Sequence, residues 1–143
     1  MKYKYLSLVL LSSAIVALSG CATMQDNTTK ALPYLRPAAG LAAGGALVAA
    51  KADQRYKMAA YIDGVAHGIR TLMDGTVPST EKVRLVVRQF TPESQHYEVF
   101  GNSLVAIYTS TYPYVRDDYA LAAKVLELIA SGCQDAAAPY LTK

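Results

Sequence analysis

"MAAYIDGVAHGIRTLM", residues 58–73, decides the fold. Met58, Ile62, Val65, Ile69 and Leu72 recur at steps of 4, 3, 4 and 3. On a helix of 3.6 residues per turn that spacing makes one continuous apolar stripe, and on a strand it would scatter over both faces. The spacing predicts a helix over residues 52–73. Ala60, Gly64 and Gly68 form a second line at i, i+4, i+8 with almost no side chain, so a neighbouring helix can approach closely there. Asp74-Gly75 is expected to end the helix, with Gly75 suited to a left-handed cap.

Downstream, Pro78-Ser79-Thr80-Glu81 reads as a helix start, and Val83, Val86, Val87 and Phe90 share a helical face. The valines would also fit a strand. Thr91 as N-cap and Pro92 at the first helical position open another helix. Tyr97, Phe100, Leu104, Ile107 and Thr111 then recur at steps of 3, 4, 3 and 4, and Pro113 is expected to stop it. Asp117 or Asp118 caps a last helix through Ser131, with Leu121, Val125 and Leu128 inward and Gly132 as its expected stop. Short connections make such helices near neighbours. The expectation is an all-α protein, a small bundle of about four helices over residues 52–143.

Upstream of residue 52 the pattern changes. "AAGLAAGGALVAA", residues 38–50, is alanine- and glycine-rich and too short to span a bilayer. Residues 38–51 therefore read as a helical segment lying on the domain, on the bilayer surface or on a second copy, which admits a homo-oligomer. Pro33 and Pro37 bracket "PYLRP", expected to lie outside any helix interior. Residues 21–37 read as a tether.

Residues 1–20 have a positive start, Lys2 and Lys4, and then a charge-free apolar run from Leu6 to Leu18. At about 1.5 Å per residue the run falls short of the ~30 Å hydrocarbon core, so it reads as a signal peptide. It ends in Leu18-Ser19-Gly20-Cys21, which resembles the lipobox of bacterial lipoproteins. That resemblance implies lipidation of Cys21. With Ala22 next, it implies retention at the outer membrane, facing the periplasm. Cys133 is then left without an intramolecular partner.

Cleavage would remove two of the fourteen basic residues, leaving twelve against eleven acidic ones and a net charge of +1 instead of +3. Such a balance gives no case for nucleic-acid binding. HExxH, CxxC and GxxxxGK are not in the sequence. "GNSLV" begins like a nucleophile elbow but has Val105 in place of the second glycine. Asp63 and His67 form an i, i+4 pair, short of the three or four ligands a metal needs. Asp117 and Asp118 are explained by capping. The expectations are no enzyme, no cofactor and no metal site. Tyr108, Tyr112, Tyr114 and Tyr119 around Pro113 are candidate binding residues, because aromatic anchors dominate protein interfaces. A tyrosine-rich seam inside the bundle is the other reading of the same group.

From residue 61 to 113 the order of elements resembles the Rap/Tai immunity proteins, which neutralise peptidoglycan amidases delivered by type VI secretion. Tyr61-Ile62-Asp63-Gly64-Val65, Pro78, Val86-Val87, Phe90, Pro92 and Tyr112-Pro113 carry the resemblance. Thr76 and Tyr114 stand where that family has cysteines, so its disulfide cannot form here. The resemblance implies an immunity or inhibitor role against a cell-wall-degrading effector. The alternative is a pilotin-like adaptor of an envelope machine. In both, the partner is an envelope protein bound without turnover.

Overall fold

The computed structural model describes residues 25–90 and 95–142, and side-chain surroundings for 29–90 and 97–142. Residues 1–20, read above as a signal peptide, Cys21 and the expected Thr91-Pro92 helix start lie outside the described residues. Within them the chain is all-α, a small bundle of five helices. These are α1 (Gln25–Ala49), α2 (Arg55–Thr71), α3 (Thr80–Phe90), α4 (Gln95–Val115) and α5 (Tyr119–Leu141), with a 3-10 turn at Ala52–Gln54 before α2. Helix α5 is the hub. It packs most extensively on α1 and next on α2, while α3 closes the bundle against α2 and α4.

The largest departure from the sequence expectation is α1. Residues 25–37 are helical, not a tether, and Pro33 and Pro37 lie inside the helix. Each proline removes a backbone donor and costs about 3 kcal/mol in a helix interior. Both rings point outward, while Leu32, Leu35, Ala39, Ala42, Ala43, Ala46 and Leu47 form a buried stripe on the opposite side. Burial of that stripe against α4 and α5 offsets the local cost, which is how tertiary packing overrides propensity.

Helix α2 follows its periodicity. Met58, Ile62, Val65 and Ile69 are each at most 2 % exposed. It ends at Thr71, where the Leu72 N–H donates to the Ile69 carbonyl at 3.1 Å in a tightened last turn. Gly75 does take a positive φ of 100°, but in the loop beyond the cap. Asp74 Oδ1 shapes that loop by accepting from the Thr76 N–H at 3.0 Å and its hydroxyl at 2.7 Å. Ser79 caps α3 by accepting from the Lys82 N–H at 3.2 Å. Burial of Val83 and Val87 then settles helix over strand.

Two expected stops are not stops. Helix α4 continues through Pro113 to Val115. The carbonyl that loses its partner belongs to exposed Thr109, where water can replace the bond. Helix α5, capped by Asp118 accepting from the Leu121 N–H, runs through Gly132 to Leu141. Gly132 keeps helical backbone, and its missing side chain serves packing: a Cβ there would overlap the Arg36 carbonyl oxygen of α1 and lie 3.0 Å from Ala39 Cβ.

Candidate functional site

Helix α5 presents two polar faces, each clamped by an arginine. On one, Glu127, Ser131 and Gln134 recur at i, i+4, i+7 and meet Arg70 of α2. Arg70 Nε and Nη2 donate to the Glu127 carboxylate at 2.9 and 2.7 Å, and Nη1 donates to Gln134 Oε1 at 2.6 Å. Ser131 donates to Glu127 at 2.9 Å, and Gln134 Nε2 donates to Asp63 at 3.0 Å. The Arg70 hydrogen bonds hold Glu127 below the usual carboxylate range, and the same pairing raises Arg70. The network locks α2 onto α5.

On the other face, Arg36 of α1 forks onto Asp135 of α5, with Nε to Oδ2 at 2.7 Å and Nη2 to Oδ1 at 3.0 Å. Both side chains are over half exposed, and the hydrogen bond lowers the Asp135 carboxyl from its ordinary value. Beside this pair lies an open groove of about 530 Å³ between the two helices. Leu32, Pro33, Pro37, Leu128 and Ala136 line it, and Gly40 and Gly132 let the helices close beneath it. The groove thus offers an apolar floor with one bidentate ion pair beside it. Residues 99 apart in the chain make that pair, so no local pattern foretells it.

The candidate tyrosines divide. Tyr108 is fully buried, and its hydroxyl donates to the Pro78 carbonyl at 2.7 Å. Burial pushes its phenol up to about 12. It is therefore no contact residue, and this corrects its place in the candidate surface. Its ring tilts against Tyr112 at 5.9 Å between centroids. Tyr112 and Tyr114 are half-buried against the core, and Tyr119 is half-buried at the start of α5. The group belongs largely to the seam between elements.

The glycine line of α2 divides too. Gly68 is buried, and a Cβ there would crowd Phe90 Cε2 at 2.6 Å and Val86 Cγ1 at 2.8 Å. One on Gly64 would sit 3.1 Å from Phe90 Cδ1. Ala60 is exposed, which removes it from the packing line. The α2 glycines thus receive a phenylalanine ring from α3, whereas the backbone-to-backbone approach occurs at Gly40 and Gly132, on other helices.

His67 Nδ1 donates to the Asp63 carbonyl at 2.9 Å and lies 3.4 Å from the Asp63 carboxylate. Among the described residues no three His, Cys, Asp or Glu side chains come together as a metal site would require. Cys133 is a buried free thiol, pushed up to about 12 by burial, with the Arg70 charge opposing the shift. Among the described residues no helix is long and apolar enough to cross a membrane. Outward on α1, however, Tyr34, Leu41 and Val48 stand 67, 62 and 72 % exposed at a heptad spacing, a signal that was present in the sequence and that sequence reasoning missed. No family model, curated protein or solved structure matches this chain.

Proposed function

We propose that the mature chain is a lipoprotein held at the outer membrane through Cys21. It faces the periplasm and binds one envelope protein stoichiometrically in the groove between α1 and α5. The groove carries this reading: it is concave and mostly apolar, with a single bidentate ion pair to orient an occupant. The "LSGC" motif supports the location, because a tethered binder meets its partner at raised local concentration. The likeness of residues 61–113 to an immunity scaffold favours a cell-wall-degrading effector as the partner, with a pilotin-like adaptor as the second reading.

The test is co-purification of the full-length lipoprotein from detergent-solubilised membranes of its native host. One envelope protein is expected in equimolar amount. Ala136→Arg, which puts a long charged side chain into the groove, is expected to lose it while remaining folded. A peptidoglycan amidase as the captured species supports immunity, and a subunit of a multiprotein machine supports the adaptor. Retention of the partner by Ala136→Arg rejects the groove. Hydrolysis of a cell-wall or lipid substrate by the purified protein rejects the binding function.

A further inference from the structure

The outward face of α1 has no covering in the bundle. Tyr34, Leu41 and Val48 lie on it at successive heptad positions, with Pro37 between them and Gly44 and Gly45 open, nothing within 4 Å of a Cβ at either. No acidic residue occurs between Asp26 and Asp53. Exposed Lys30 lies four residues before Tyr34, and exposed Lys51 lies two residues past the end of α1, near the other end of the stripe. The inner face of α1 is taken up by the bundle, and an exposed apolar stripe with a tyrosine, a lysine near each end and no acid within it can enter a phospholipid interface with the tyrosine and lysines at headgroup level.

We infer that this face of α1 lies along the phospholipid surface that carries the anchor. The inference rests on the anchored-lipoprotein reading above, because Cys21 lies only four positions before Gln25, where the described part of α1 begins. A lipid on that cysteine holds this helix, more than any other, at the headgroups. The lipid fixes where the chain is held but not how the domain is turned, and an apolar helix face at the headgroups sets that orientation. A second copy is the competing occupant, and shielding from aqueous quencher without contact to lipid distinguishes it. The signal peptide's own apolar run leaves the protein on cleavage and so cannot cover the face.

The chain has no tryptophan, so single-tryptophan variants report cleanly. Leu41→Trp, Val48→Trp and the control Leu85→Trp, on an exposed position of α3, are made in the full-length protein. Each is purified with its lipid and reconstituted in phosphatidylethanolamine–phosphatidylglycerol vesicles with or without brominated acyl chains. Leu41→Trp and Val48→Trp are expected to shift to the blue and lose about half of their emission to brominated lipid, as burial to the acyl boundary requires. Leu85→Trp is expected to stay unquenched. If the protein sediments with vesicles but Leu41→Trp is quenched no more than Leu85→Trp, the inference fails and the anchor reading stands. Shielding of Leu41→Trp from aqueous iodide without quenching by brominated lipid also overturns it, in favour of a protein occupant. An intact mass that still includes residues 1–20, or failure to sediment at all, overturns the inference together with the anchor.

Discussion

Gly40 and Gly132 meet backbone to backbone where α1 crosses α5. A Cβ on Gly40 would lie 3.4 Å from the Gly132 carbonyl oxygen, and a Cβ on Gly132 would lie 3.0 Å from the Gly40 nitrogen and overlap the Arg36 carbonyl. The crossing sets the floor of the groove and brings Arg36 within reach of Asp135. A helix with two internal prolines is held in place here by the absence of side chains on its neighbour.

Glycines in these helices should therefore respond to alanine with opposite signs. Gly132→Ala must displace backbone and is expected to cost about 1–3 kcal/mol despite its better helix propensity. Gly44→Ala meets nothing within 4 Å and is expected to stabilise by up to about 1 kcal/mol. Thermal melts of the two variants check this, with one melting point below wild type and the other at or above it.

Tyr108→Phe leaves the Pro78 carbonyl without its partner in a buried setting and is expected to cost about 1–2 kcal/mol. The phenol's folded pKa, about 12, is raised above its ordinary 10.0. Its contribution is then complete below pH 10 and lost as pH rises through about 12. Chemical denaturation at neutral and strongly alkaline pH measures both effects, and Tyr108→Phe should flatten the alkaline decline.

Acid acts on the two clamps. Glu127 and Asp135 both have folded pKa values below their unfolded ones, held there by Arg70 and Arg36. Their stabilisation is present above the unfolded carboxylate pKa and disappears as pH falls through the lowered folded values. Glu127 is nearly half exposed, so solvent screening keeps its share under about 1 kcal/mol. Melting temperature against pH should show a shallow loss below pH ~5, reduced in Glu127→Gln.

Cys133 should resist thiol reagents in the native protein and react fully after unfolding, because its sulfur is buried and its thiolate disfavoured. Fast native labelling would mean that α5 opens locally at its contact with α1 and α2.

Local physics determined much of this protein in advance. The 4-3-4 spacing from Met58 to Ile69 fixes α2 and its buried face, because side-chain direction on a helix follows from spacing alone. The same holds for Val83 and Val87, and Asp118 and Ser79 announce their caps through side chains that reach the backbone three residues on. The proposed role of Cys21 rests on its motif alone. Pro33, Pro37, Pro113 and Gly132 mislead, since each carries a local helix-breaking preference of only a few kcal/mol. That preference yields where the surrounding stripe is buried, and the partners that bury it lie far away in sequence. Whether Gly132 stops a helix or lets another cross it, and whether Arg36 has a mate at all, is decided only when α1 and α5 come together, because those contacts join residues 92 to 99 apart in the chain.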